Sequence, residues 1–572
     1  MPWLTTIGLL PTVGALVIWG TLLVRRSGAS LDEDVDTPVP ATVGAGVGAT
    51  AGGPAGGVSA GRVGTAGGAE VLGAEVLPAA DDEGERIASF ARWTALVTSV
   101  LVFALTVALA FRFDVSRAGT FQFTETRSWI PQFGVSYAVG VDGIALTMVA
   151  LSAVLVPICV LAGWREVAGE PAAHFFALML VLETMMIGVF AARDVFLFYV
   201  FFEAMLIPVY FLIGRFGGAQ RRYASVKFLL YSLLGGLIML VALIAVYFQG
   251  KGGPQGFLTT NLTGISYSST TVERLLFLGF FIAFAIKAPM WPVHTWLPDA
   301  AAEAPAGVAV LLIGVLDKVG TFGMITLCLP LFPDASTWAA PVVLALAVVS
   351  VIYGALLAIG QSDLKRLIAF TSVSHFGFIV LGIFAFTSTA QAGSLLYMVN
   401  HGLSTAALFL ISGMLIARRG SAQIGDYGGL QRSTPLLAGV FLVAGLSTLS
   451  LPGLAPFISE ILVLIGTYTR SPAAAVISTV AIVLSALYIL LAYQRMFTGP
   501  VRDFAAGWRD LDVREAWVVA PLIAVIIALG FYPKPVLDVL NPAVGRTMQQ
   551  THSTDPAPTV PGVQPAAEGT TK

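Results

Sequence analysis

Residues 275–297 read LLFLGFFIAFAIKAPMWPVHTWL. An uncharged run from Leu275 to Ile286 meets Lys287, and Pro289 and Pro292 follow within five residues. The stretch is long enough for a bilayer core, which takes about 20 apolar residues per helix. It also carries a charge and two helix breakers where hydrocarbon tolerates neither. Read outward from here, the rest of the chain has the same character. Of 572 residues, 56% are hydrophobic and 11% charged, against about 25% charged in a soluble domain. Mean hydropathy is +0.85. The composition excludes a water-soluble enzyme and predicts an all-α integral membrane protein. The net charge of -2 leaves no electrostatic footprint for nucleic acid. Cys159 and Cys328, the only two cysteines, exclude a disulfide framework, a CxxC zinc site and an iron–sulfur cluster held by this chain.

Hydropathy predicts about fourteen transmembrane helices, near 3–24, 93–111, 139–163, 172–192, 195–214, 226–248, 275–297, 306–329, 337–360, 367–386, 393–416, 435–468, 473–497 and 516–532. The first is a retained helix, since Arg25-Arg26 closes it without a cleavage site. Nineteen of the 31 basic residues fall beside the loops that follow odd-numbered spans and ten on the opposite side. The positive-inside rule therefore puts both termini outside. Residues 1–26 form the first helix and 27–91 a Gly/Ala-rich flexible cytoplasmic insert. Residues 92–171 hold helices two and three, 172–329 a five-helix repeat and 337–497 a second, inverted five-helix repeat. A loop and the last helix occupy 498–535, and 536–572 is a tail expected to be largely disordered. The stretch Gly44–Ala49 fits a loose GxGxxA pattern, but neither the strand before it nor the helix after it that a dinucleotide site requires is apparent.

Ionisable residues interrupt several spans. Glu203 stands in LFYVFFEAMLIPVYFLI, Lys287 in FLGFFIAFAIKAPMWP, Lys318 in VLLIGVLDKVGTFGMI, and Glu460 after LPGLAPFIS. Each costs roughly 2.5–3.5 kcal/mol at mid-bilayer on insertion scales. Four unpaired would cost on the order of 10–14 kcal/mol, as much as a domain's whole stability. Such groups pair structurally, as Glu203 with Lys287, or they relay protons. Breakers beside the charges favour a relay: Pro289 and Pro292 follow Lys287, and Pro452, Gly453 and Pro456 precede Glu460. These two broken spans are the fourth members of the two five-helix groups, the arrangement that transporters use to place ion sites near the midplane. His375 in FTSVSHFGFIV and His401 in YMVNHGLSTAALFL lie between Lys318 and Glu460 in chain order and offer further steps. His294, on the cytoplasmic side of the break, is a candidate for proton intake, and Glu183 is a weaker site residue.

The stretches MLIPVYFLIG after Glu203, AFAIKAPMWPVHTWLPDAAAEAP around Lys287 and SDLKRLIAFTSVSHFGF around His375 resemble the antiporter-like membrane subunits of respiratory complex I. The same family includes the large subunits of multisubunit cation/proton antiporters and of membrane-bound hydrogenases. The resemblance spans roughly residues 90–535. A glutamate in the twelfth span, here Glu460, points to the M (chain 4) branch of the bacterial NADH:quinone oxidoreductases. By that resemblance Glu203 and Lys287 are a coupled pair, Lys318 is the central relay, His375 and His401 carry the proton on, and Glu460 passes it outward. Asp317, beside Lys318, receives no role. The resemblance further implies no cofactor on this chain, with NADH, FMN, iron–sulfur clusters and quinone in partner subunits. It implies neighbouring antiporter-like and peripheral-arm subunits as partners, and a bacterial inner membrane. The alternatives are a subunit of a cation/proton antiporter or membrane-bound hydrogenase, and a purely structural membrane-arm subunit.

Overall fold

The computed structural model describes residues 2–32 and 82–557. Residues 33–81 of the expected insert, with the Gly44–Ala49 pattern, and residues 558–572 of the expected tail lie outside the described residues. Twelve helices among the described residues are long and apolar enough to cross a bilayer. The two remaining segments of the expected fourteen are the spans read as broken, and each is interrupted. Thr270–Lys287 carries Glu273 and Arg274 near its start and stops at Lys287, with a separate helix, Trp296–Glu303, after the prolines. Residues 435–468 divide into Pro435–Thr448 and Ala455–Tyr468, each a shorter apolar helix.

Polar caps start many of these helices. Asp142, Asp194, Ser269, Asp363 and Thr387 each accept a backbone N–H of the first turn with a side-chain oxygen, and Asp512 with Glu515 forms a capping box. Burial sorts the helices into a centre and a periphery. The apolar window of Ala306–Leu331 is entirely buried, and those of Leu364–Ile383 and Ser388–Arg419 are 94% and 89% buried. Arg221–Gln249, Pro333–Ile359 and Pro472–Phe497 are only 39% buried and turn residues such as Leu234, Val241, Val342 and Val483 outward. With hydrocarbon outside, close packing rather than the hydrophobic effect joins such helices. Gly354 and Gly377 make that possible between Pro333–Ile359 and Leu364–Ile383: a Cβ on Gly354 would stand 2.6 Å from Ser374 N, and one on Gly377 2.8 Å from Ala347 O.

Three expectations change. The chain is not wholly helical: strands Gln122–Ile130 and Val135–Val141 pair as an antiparallel hairpin, so the third span begins at Gly143 behind its Asp142 cap rather than at 139. The second strand, VSYAVGV, owes its extended form to β-branched and aromatic residues. The last ten residues assigned to the insert, 82–91, are the start of the helix Asp82–Arg112, where Arg92 bonds Glu85 and the Val167 carbonyl. Much of the expected tail is also ordered. Lys534–Gln550 is an amphipathic helix that buries Leu540, Ala543, Val544, Thr547 and Met548, with Arg546 bonded to the Gly119 carbonyl and to Asp142.

Candidate functional site

Glu203 stands in the last turn of Val195–Ala204, and after Met205 the chain restarts as Leu206–Phe216. Pro208 supplies the break, since it has no N–H for the Ala204 carbonyl. The Glu203 carboxyl leans on Arg221–Gln249 at Gly236, where any Cβ would collide with Oε1 and Cδ. Lys287, the last residue of its helix, is buried, and its ammonium has no hydrogen-bond partner. It lies over the rings of Phe202 and Phe228, 5.0 and 5.6 Å from their centroids, an attraction worth up to about 2 kcal/mol when desolvated. Lys287 and Glu203 interact electrostatically but form no ion pair, so the structural salt bridge weighed from the sequence is absent. The broken backbone beyond Lys287 is satisfied by protein: the Trp296 indole donates to the Ile286 carbonyl at 2.9 Å, and Trp291 N donates to Ser350 Oγ at 2.8 Å.

Lys318 sits in the enclosed helix Ala306–Leu331, just after a widened π turn over Leu312–Leu316. Such turns open the carbonyl ladder and are frequent at functional sites. Here Lys318 Nζ donates to the Ile313 carbonyl at 2.6 Å and lies 2.7 Å from Nδ1 of His401. That contact has two chemical forms, an ammonium donating to the ring or a ring N–H donating to a neutral amine, and the two differ by one proton's position. The His401 ring meets His375 edge-on at 5.3 Å, and His375 meets Tyr397 at 5.7 Å. The Tyr397 hydroxyl donates to Glu460 Oε2 at 3.0 Å, and Ser450 Oγ donates to the same oxygen at 2.5 Å. Ser450 adopts φ 60° in the gap between Pro435–Thr448 and Ala455–Tyr468, a left-handed conformation that aims its hydroxyl at the carboxyl. Asn400 holds the other side of the gap, donating to the Ala455 carbonyl at 2.7 Å and to Ser459 Oγ at 3.2 Å.

Six expected site residues therefore fall in two groups. Lys318, His401, His375 and Glu460 form one file, completed by Tyr397 and Ser450; Glu203 and Lys287 form a separate, looser pair. His294 is buried beside Tyr353, with Nδ1 unpartnered. Near it, Asp299 bridges Lys227 at 2.7 Å and Arg366 at 2.6 Å. Burial pushes the Asp299 carboxyl up, and the two basic partners outweigh it and hold the group below the usual carboxylate range. Glu183 is buried with both oxygens unpartnered and is not part of the file. Nothing in the local sequence singles out Tyr397, Ser450 or Asn400. The one available signal was spacing, since Tyr397 precedes His401 by four residues and so shares its helix face. Among the described residues no three His, Cys, Asp or Glu side chains come together as metal ligands would.

Comparison with known proteins places these residues in context. Residues 192–485 match the family described as NADH:quinone oxidoreductase/Mrp antiporter, TM. The NADH-quinone oxidoreductase subunit M of Mycobacterium tuberculosis is 52% identical over 511 residues, covering 83% of this chain and 92% of the relative. That of Rhodobacter capsulatus is 38% identical over 474 residues, covering 81% and 91%. A chain of respiratory complex I from Thermus thermophilus superposes with a TM-score of 0.75 at 33% identity, over 80% of this chain and 95% of that one. A chain of the Mrp complex from Dietzia sp. shares the fold, with a TM-score of 0.72 at 21% identity over 81% and 95%. On an identity of 52% that runs through nearly the whole relative, the chain belongs to the NADH:quinone oxidoreductase/Mrp antiporter family of membrane subunits, in its subunit M branch.

Proposed function

We propose that the chain is a proton-translocating membrane-arm subunit of a bacterial NADH:quinone oxidoreductase. NADH, FMN, iron–sulfur clusters and quinone work in partner subunits, and antiporter-like neighbours flank it in the inner membrane with both termini outside. In this reading the two five-helix groups, 172–329 and 337–497, are inverted repeats, and each contributes one interrupted helix to the path. A proton enters near His294, is held at the Glu203–Lys287 pair, and passes through Lys318, His401, His375 and Tyr397 to Glu460, which releases it outward. Lys287 has ring faces for partners rather than an anion, so small movements of Glu203 change how firmly it keeps its proton. An approaching carboxylate stabilises the ammonium and a retreating one lets the proton go.

The observation that carries the reading is the 2.7 Å contact of Lys318 Nζ with His401 Nδ1, continued by ring contacts to the hydroxyl donated to Glu460. A buried ammonium against an imidazole is a poor structural device, since it places two proton-binding bases together in a medium that penalises charge. As a transfer step it is well suited. The test is the intact complex carrying Lys318→Ala, in inside-out vesicles, with NADH oxidation and proton uptake followed together. Loss of coupled uptake is expected, and uptake at the unmodified rate would refute the relay. Transport that needs sodium and proceeds without NADH oxidation would move the chain to the cation/proton exchanger reading.

A further inference from the structure

The path just proposed has a gap. No described contact joins Lys287 to Lys318, although the proton must cross from one to the other. Asp317 stands in that gap. It is fully buried, and neither carboxyl oxygen has a hydrogen-bond partner. It interacts electrostatically with Lys318 and with Lys287, and Lys287 in turn with Glu203. The direction of its side chain follows from helix geometry. Gly320, one turn on and on the same face, lies directly against the end of Thr270–Lys287: a Cβ there would stand 2.5 Å from Phe284 O and 2.6 Å from Ala288 N. Asp317 therefore faces the end of the Lys287 helix. Lys318, the next residue and about 100° round the helix, faces His401. Two consecutive residues look into the two halves of the molecule.

We infer that Asp317 is a proton-carrying residue that bridges Lys287 and Lys318, each transfer running through an intervening water. An N–H bond of the Lys287 ammonium breaks as an O–H bond forms on the Asp317 carboxylate. That O–H then breaks as an N–H forms on a neutral Lys318 amine. Lys287 ends neutral, Asp317 regains its charge, Lys318 gains one, and the total is unchanged. A buried carboxylate without hydrogen bonds is costly as a structural element, whereas a carboxylate that alternates between two lysines needs its oxygens free.

The inference rests on the relay reading, so its test runs beside Lys318→Ala, in the intact complex, with proton uptake read against NADH oxidation. Asp317→Asn keeps the shape and removes the titratable group; uptake is expected to fall about tenfold or more. Asp317→Glu is expected to retain most uptake with a displaced pH profile. The groups that share in this profile are Lys287 at the end of Thr270–Lys287 and Lys318, with Glu203 linked to the first and His401 to the second. Unaltered uptake in Asp317→Asn overturns the assignment. A pH profile of Asp317→Glu that superimposes on the unmodified complex also overturns it, and this variant carries the test alone if the Asn complex does not assemble. Normal uptake in Asp317→Asn with loss in Lys318→Ala removes the bridge and leaves the function. Normal uptake in Lys318→Ala removes both.

Discussion

Replacing Tyr397 with phenylalanine removes a single oxygen at the point where the ring file becomes a hydrogen bond. The ring keeps its contacts with His375 at 5.7 Å and with Phe378 at 6.2 Å, so packing and assembly are expected to survive. What is lost is the 3.0 Å bond donated to Glu460 Oε2. A hydrogen bond to a charged acceptor is worth about 1.5–3 kcal/mol, and each 1.4 kcal/mol is about tenfold in rate. Tyr397 is fully buried, so bulk solvent does not replace the missing donor. Ser450 still donates to the same oxygen at 2.5 Å, which keeps the carboxyl partly satisfied and places the effect near the lower bound. Proton uptake by inside-out vesicles is therefore expected to fall about tenfold. An acridine dye reports the uptake, normalised to NADH oxidation. Tyr397→Phe vesicles that acidify as fast as the unmodified ones would refute the claim that the path passes this hydroxyl.

Two further perturbations test other parts of the structure. Gly236→Ala places a methyl group where Glu203 Oε1 and Cδ now lie; it should uncouple pumping, as Glu203→Ala is expected to, without removing a charge, and cost about 1–3 kcal/mol in thermal stability. Gly235→Ala, whose Cβ would meet Ile286 Cδ1 at 3.1 Å, is the milder control. Asp194→Ala leaves the backbone N–H groups of Ser136, Phe196 and Leu197 without their acceptor, and should loosen the hairpin by about 1–2 kcal/mol, read as faster hydrogen exchange over Val135–Val141. Burial pushes the Asp194 carboxyl up to about 6, against those three backbone bonds. The folded state thus favours the protonated form, so this contribution to stability falls as pH rises from the ordinary value of 3.8 through about 6. Exchange corrected for its intrinsic pH dependence should slow from pH 7 to pH 5 in the unmodified protein, and this change should vanish in Asp194→Ala.

Glu203, Lys287, Lys318 and Glu460 were legible in the sequence because a charge inside an apolar run has few physical explanations. Pro289 and Pro452 likewise marked the two broken spans, since proline cannot continue a helical ladder. Tyr397 was illegible for the opposite reason. A tyrosine among Leu, Met and Val breaks no local pattern, and its hydroxyl gains meaning only when Ala455–Tyr468 brings Glu460 to it. Asp317 was visible but ambiguous, since its direction depends on Gly320 lying against Ala288, a tertiary fact. The sequence left two readings for Lys287 and Glu203, a direct ion pair or a looser coupled pair; the ion pair is absent, because Phe202 and Phe228 lie against the ammonium. The helix Lys534–Gln550 escaped notice because Pro535 and Pro542 read as tail composition; Pro535 falls within the first two positions, where its missing N–H costs nothing.

The burial of the apolar window of Ala306–Leu331 within the protein has a consequence for how the membrane acts on this protein. Asp317 and Lys318 are fully buried within the protein, so the polarity around them is set by neighbouring side chains rather than by the fatty-acid content of the cell. A thicker or stiffer bilayer bears on the outer ring, on Arg221–Gln249 and Pro472–Phe497, by changing their tilt. Growth temperature and lipid diet then reach the ionisable centre only mechanically, through the rim, while the solvation of its charges stays a heritable property of the polypeptide.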